Sequence, residues 1–389
     1  MTERENGTGF PKGFHAATAR AGLKREGDDL ALFHSEVPAT AAALFTRNHF
    51  PGAPVIVGRE RVSSGRLQTI VVNAGISNVA TGPAGIADAR EMARLAGIET
   101  GVPEQLVLPA STGVIGRRLP MEQVRDGITG LGRRLGSDPW PAARAIMTTD
   151  RVAKVITASV GEAKLTAVGK GAGMIAPNLA TMLVFLFTDA ALDRTNADRI
   201  LRGAAERSFQ LLSVDTDTST SDMVVLLANG LAGEVDPEAF SDALGRVCLE
   251  MAERIARDGE GATKLLAARV SGAFDDGEAR KIARAIIESP LVKTMAYGAD
   301  PNVGRILMAI GKCVDCRVEP SRVSAAIQGV EVIREGTRSD FSDAQVRRLL
   351  EGEEVRIQVE LGVGGGEGLA LGCDLTEGYI EENAAYAST

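Results

Sequence analysis

The segment KGAGMIAPNLATML, from Lys170 to Leu183, sets a small residue, Ala180, directly before Thr181 at the mouth of an apolar run. Two readings of Thr181 are open. In one it is a β-branched residue that starts a strand. In the other its hydroxyl attacks the Ala180 carbonyl, the amide shifts to an ester, and hydrolysis frees Thr181 as a new amino terminus. Such a terminus is a compact catalyst. An α-amine has a pKa of about 7.7 to 8.0 against ~10.4 for lysine, so near neutrality it takes the proton of its own hydroxyl without a histidine. The three histidines, His15, His34 and His49, all fall within the first fifty residues. A Ser-His-Asp or Cys-His mechanism would have to draw its base from that corner.

Other motifs carry less. Cys313-Val-Asp-Cys316 has redox spacing, but it follows an apolar run and has no second pair for zinc, so packed free thiols are expected. GVGGGEG at 362–368 lies between two strand patterns and reads as a hairpin or loop, not a dinucleotide fingerprint. DTDTSTSD at 215–222 supplies Asp215, Asp217 and Asp222 but lacks the glycine and terminal glutamate of a calcium loop. A hydrogen-bonded structural loop is expected there, and no metal. Gly169-Lys170 has neither the upstream glycine spacing nor the following Ser/Thr of a phosphate loop.

The elements that must position these residues are those of an α/β protein. β-Branched runs predict strands over 53–57, 68–73, 105–109, 163–167, 182–187, 223–227, 355–361 and 368–373. Amphipathic patterns punctuated by Pro and Gly predict helices over 84–96, 121–135, 196–211, 237–256, 277–287 and 342–350. A glycine-rich loop over 169–178 leads to the strand that follows Thr181. No internal repeat or low-complexity linker interrupts the pattern.

With 389 residues, 44% hydrophobic and 24% charged, the chain can build its own core without disulfides. Its four cysteines are too scattered for a disulfide framework, and no segment approaches the ~20 apolar residues of a membrane span. The polar start, MTERENGTG, lacks the regions of a secretory signal, so a soluble, cytoplasmic protein is expected. A formal net charge of −8 without a Lys/Arg block argues against nucleic-acid binding.

Ten segments in order resemble the ornithine acetyltransferase family, also called glutamate N-acetyltransferase: PKGF (11–14), ALFTRN (43–48), ASTGVIG (110–116), IMTTD (146–150), KGAGMIAPNLATML, DTDTSTSD, DGEGATK (258–264), SPLVKT (289–294), DPNVGR (300–305) and GCDLTEGY (372–379). The resemblance spans essentially the whole chain. It implies an α/β sandwich-like architecture, akin in mechanism to amino-terminal-nucleophile hydrolases, built from intertwined chains 1–180 and 181–389. It further implies cleavage at Ala180–Thr181, with Thr181 as nucleophile. The implied reaction is ping-pong transfer of acetyl from N2-acetyl-L-ornithine to L-glutamate through an acetyl-Thr181 ester. No cofactor is implied, acetyl-CoA being an alternative donor in some members, and two chains of each kind are expected to assemble.

The resemblance also assigns residues. Thr112 and Gly113 would form the oxyanion hole, which must meet the charge of a tetrahedral intermediate with preorganised donors. Thr148 and Lys170 would contact substrate, and the Lys170 charge could also depress the Thr181 amine pKa. Glu260 would partner a cationic amine, and Asn383 and Thr389, or Ser388, would bring the carboxyl terminus into the site. Taken without the resemblance, STG reads as a turn, Lys170 as a surface charge and Glu260 as a loop residue.

Several positions depart from the family pattern. Ile76 stands where asparagine is usual, Tyr297 where histidine is common and Val303 where tryptophan is common, and the tail after Asn383 is one residue longer. A specialised paralogue acting on a different amine and a self-cleaving aminopeptidase or amidohydrolase are therefore alternatives. A binding or redox protein using Cys313 and Cys316, with Thr181 structural, is the nonenzymatic one.

Overall fold

The computed structural model describes residues 9–176 and 182–385. Two compact units interleave along the chain, one of residues 1–171, 177–210 and 218–251, the other of 172–176, 211–217 and 252–389.

The first unit is built on an eight-stranded mixed sheet. Its order is Val107–Val114, Arg66–Ile76, Leu30–Phe45, Met223–Glu234, Leu183–Ala191, Ala163–Lys170 and Lys154–Val160, with Phe14–Ala19 added on Leu30–Phe45. Arg66–Ile76 runs parallel to Val107–Val114, and Leu183–Ala191 parallel to Met223–Glu234; the other pairs are antiparallel. Strand alternation divides the core: Ala31, Phe33, Ile70 and Val72 join Phe185 and Phe187 in one apolar cluster, while Leu30, Leu32 and Val71 join Met92 and Ala93 in another. Phe10, Phe14, Phe33, Phe185 and Phe187 interlock with ring centroids 5.2–6.2 Å apart. Both faces of the sheet are therefore buried, as the near-continuous runs LVFLF and MVVLL require.

The second unit holds a six-stranded sheet ordered Thr337–Arg338, Val330–Arg334, Ser324–Ile327, Glu354–Glu360, Leu265–Ala273 and Gly366–Cys373. In Glu354–Glu360, Val355, Ile357 and Val359 are buried while Arg356, Gln358 and Glu360 are exposed, the alternation of a one-sided strand. Helix Asp276–Ile287 lays Ala279, Ile282, Ala283, Ile286 and Ile287 into that core. The Asp275 carboxylate caps it by accepting from the Glu278 N–H at 2.9 Å.

Several expectations are corrected. Residues 53–57 are helical, not extended: Ala53–Val62 is an α-helix with Pro54 in its first turn, where a missing N–H costs nothing. The expected helices over 121–135 and 196–211 stop at Ile128 and Glu206 and continue only as short 3-10 turns. The loop expected from Gly169 begins after Lys170, because both residues finish the strand Ala163–Lys170. GVGGGEG is a loop but not a hairpin, since its flanking strands pair on opposite sides of Leu265–Ala273. A side chain on Gly364 would lie 2.4 Å from the Ala273 carbonyl, which is why the crossing needs glycine.

Candidate active site

In the first unit, Lys170 stands opposite Leu183 in the ladder, and Leu183 stands opposite Met223. The Met223 N–H also bonds the Met182 carbonyl at 2.9 Å, so the residue that follows Thr181 is pinned where the Lys170 strand ends. The Lys170 ammonium donates to the Thr148 hydroxyl at 2.8 Å. The two substrate contacts expected from separate motifs are thus joined.

Asp150 builds this junction. Its fully buried carboxylate accepts from Lys154 Nζ at 2.8 Å, from Gly171 N–H at 2.6 Å and from Thr148 N–H at 3.2 Å. Burial by itself would push the carboxyl up, but the Lys154 and Lys170 charges and these hydrogen bonds outweigh it and hold the pKa at about 2. An ionised Asp150 therefore clamps the backbone of both Thr148 and Gly171. Behind the loop, Lys24 Nζ donates to the carbonyls of Ala145 and Met147 at 3.0 and 3.2 Å.

Asp222, the residue before Met223, behaves oppositely. It is buried, its Oδ2 has no hydrogen-bond partner among the described residues, and burial lifts its pKa well above the ordinary carboxyl value against the pull of Ser219 and Lys170. Asp150, Lys154 and Asp222 were not singled out from sequence as site residues. The available signal was a charge set directly at the start of a buried strand, as in KVITASV and DMVVLL.

Thr112 and Gly113 close the outermost strand Val107–Val114, registered beside Ala74 and Gly75. Gly113 has φ +125°, and a Cβ there would lie 2.3 Å from the Gly75 carbonyl group, so only glycine fits. Beneath them the buried Ser111 hydroxyl donates to the Ile76 carbonyl at 3.0 Å and accepts from the Asn78 N–H at 2.9 Å. These contacts fix the strand end as a rigid backbone corner. Although four strands separate it from the Lys170 strand, the corner reaches the start of the Met223 strand: Ser77, whose N–H donates to the Val114 carbonyl at 2.9 Å, meets the Ser221 hydroxyl at 2.8 Å.

In the second unit, Glu260 is buried, and its Oε2 accepts from Asn383 Nδ2 at 2.8 Å. The structure therefore brings this pair of expected contacts together. Glu260, Asp215, Lys293, Cys373, Glu288 and Tyr379 help to line a cavity of ≈170 Å³. Burial, followed by the charges of Asp215 and Glu260, pushes the Tyr379 phenol up to about 12. A Cβ at Gly173 would overlap the Glu260 carboxylate, which would have to move aside.

Ala180, Thr181, Ser388 and Thr389 lie outside the described residues. Cys313 packs in the second unit's core and Cys316 packs against it as free thiols, with burial raising both pKa values. The Asp215 carboxylate is engaged by backbone N–H groups, as expected of a structural loop. Among the departures, Val303 is core, Ile76 packs against a core cluster, and Tyr297 bonds Glu377. Among the described residues no helix is long and apolar enough to cross a membrane.

Residues 15–388 match the ArgJ family. The chain is 43% identical to arginine biosynthesis bifunctional protein ArgJ 2 of Nostoc sp., over 97% of this chain and 98% of that one. It is 45% identical to glutamate N-acetyltransferase Oat2 of Streptomyces clavuligerus, again over 97% and 98%. A solved ArgJ chain from Bacillus halodurans superposes with a TM-score of 0.51 at 42% identity, covering 53% of this chain and 100% of that one. The α/β fold and these relatives define an acyltransferase. The chain belongs to the ArgJ family.

Proposed function

We propose that the chain cuts itself between Ala180 and Thr181, and that Thr181 then carries acetyl from N2-acetyl-L-ornithine to L-glutamate in a ping-pong cycle. The carrying observation is the Lys170–Thr148 hydrogen bond, clamped by Asp150, at the strand end from which Met182 and Leu183 continue. A fixed cation and hydroxyl one strand away from the chain that follows Thr181 suit recognition of a small anionic amino acid.

The Thr181 α-amine takes the hydroxyl proton, and the oxygen attacks the acetyl carbonyl. Thr112 and Gly113 meet the resulting oxyanion. The C–N bond to ornithine breaks as the departing amine is protonated, leaving an acetyl ester. The glutamate amine then attacks that ester and restores free Thr181. Lys170 and Thr148 take the α-carboxylate or amide common to both amino acids, Glu260 with Asn383 takes the ornithine ammonium, and the chain end at Ser388 or Thr389 completes the contacts. No cofactor takes part, although acetyl-CoA is a possible second donor.

The fragments 1–180 and 181–389 stay together. In the first unit's sheet, strands Leu183–Ala191 and Met223–Glu234 are flanked on both sides by strands that precede residue 181, which supports this reading. Two copies of each fragment form the working assembly in the cytoplasm, where the reaction serves arginine biosynthesis. Incubation with acetylornithine and glutamate, without CoA, should yield acetylglutamate and ornithine in equal amounts. Release of free acetate in place of acetylglutamate would identify a hydrolase, and transfer from a different acetylated amine alone would identify a specialised relative.

A further inference from the structure

The segment Ala172–Ala176, which ends four residues before Ala180, belongs to the second unit and is held there by four backbone hydrogen bonds. The Ala172 carbonyl accepts from the Glu260 N–H at 2.9 Å, and the Ile175 carbonyl accepts from the Val214 N–H at 2.6 Å. Asp215 takes the N–H groups: Oδ2 accepts from Met174 at 2.6 Å and Oδ1 from Ile175 at 2.8 Å. Asp215 is itself braced. Its Oδ1 also accepts from the Asp217 N–H at 3.2 Å, and the buried Lys293 ammonium donates to the adjoining Val214 carbonyl at 2.9 Å and to the Cys373 carbonyl at 2.5 Å.

This grip imposes a conformation the chain would not choose. Met174 has φ +54°, left-handed backbone for a residue with no glycine-like freedom, and its side chain is 42% exposed. No burial of the methionine side chain accounts for that conformation. The Met174 and Ile175 N–H groups, both donated to the Asp215 carboxylate, hold the left-handed turn in place.

We propose that Asp215 is a positioning residue for self-cleavage: by holding Met174 and Ile175 it sets the direction in which the chain leaves Ala176 toward the Ala180–Thr181 bond. This rests on the self-cleavage reading above. Intramolecular attack of a hydroxyl on the preceding carbonyl demands alignment to a fraction of an ångström, and a displacement of about 1 Å can slow such a step by roughly 10²-fold. Asp215 acts through the backbone of Met174 and Ile175, so its effect is on the rate of processing.

The test is a pulse-chase of newly synthesised full-length chain in a cell-free translation system, reading the appearance of the two fragments on a denaturing gel. Wild-type chain that never divides would overturn the self-cleavage reading itself. With wild type dividing, Asp215→Asn should cleave on the order of 10²-fold more slowly. Adding Met174→Gly should restore much of the lost rate, because glycine adopts the left-handed turn without the carboxylate's help. Cleavage of Asp215→Asn at the wild-type rate, or slow cleavage that Met174→Gly does not relieve, would overturn the proposal. Should Asp215→Asn fail to fold, Met174→Val with Asp215 intact must also slow processing, since a β-branched residue resists positive φ. Unchanged processing in that variant would be equally decisive against it.

Discussion

Asp150→Asn is the most informative single change outside the expected nucleophile. The substitution keeps the shape of the side chain and removes its charge, which leaves the Lys154 ammonium, 0% exposed, without the carboxylate it meets at 2.8 Å. Breaking one partner of a buried pair costs about 3–5 kcal/mol, since the remaining charge is stranded. At roughly 2–4 °C per kcal/mol for a unit of 150–250 residues, thermal unfolding should fall by about 6–20 °C. The Gly171 and Thr148 N–H groups would also lose an anionic acceptor, so the Lys170–Thr148 pair should loosen and transfer should slow. Scanning calorimetry of Asp150→Asn, Lys154→Met and the double variant gives the test. The double variant should regain much of the loss, because an apolar replacement of a buried pair is nearly neutral. An Asp150→Asn midpoint within about 2 °C of wild type would refute the reasoning, as would losses that simply add.

The same carboxylate predicts an acid limb. Its folded pKa, about 2, lies below the ordinary 3.8, so its stabilising contribution is present above pH ~4 and disappears as pH falls toward 2. That contribution is roughly 2 kcal/mol and should be missing from denaturant titrations of Asp150→Asn. Gly113→Ala should lower the thermal midpoint by several degrees through its forced φ +125° and its overlap with Gly75, and should reduce kcat by about 10²-fold if the strand corner supplies an oxyanion donor. Unchanged kcat in a folded variant would remove Gly113 from the mechanism. Glu260→Gln should raise KM for acetylornithine by about 10–100-fold, the loss of a charge-assisted contact, while KM for glutamate stays within about two-fold. An equal rise for both substrates would contradict its assignment to the ammonium.

The uninterrupted apolar strands were legible in sequence because burial on both faces writes a continuous run, as in LVFLF and MVVLL. Leu30–Phe45 was not, since Ser35 to Pro38 break its pattern where the register with Arg66–Ile76 shifts, between His34 and Ala39. The β-branched string at 53–57 pointed to a strand, but packing of Val55 and Val57 beneath a helix with Pro in its first turn overrode propensity. Helices Pro290–Tyr297 and Gly304–Gly311, eight residues each, are too short to establish a period. Thr148, Lys170 and Glu260 were picked out as candidates through motif resemblance, which suggests residue roles but not the groups that support them. Asp150 and Lys154, four apart, have the spacing of an ordinary exposed pair; only the fold shows both at or near complete burial. Asp215 was read as part of an acidic loop, and nothing in its spacing disclosed that it grips residues forty positions earlier.

The central claim is that Thr181 becomes an amino terminus and carries the acyl group. Rapid-quench mass spectrometry of protein mixed with acetylornithine and no acceptor tests it directly. The account predicts two chains, 1–180 and 181–389, with a single acetyl group on the amino-terminal peptide of the second that disappears when glutamate is added. An uncut chain, or two chains with no acetyl on the 181–389 fragment while acetylglutamate still forms, would contradict it.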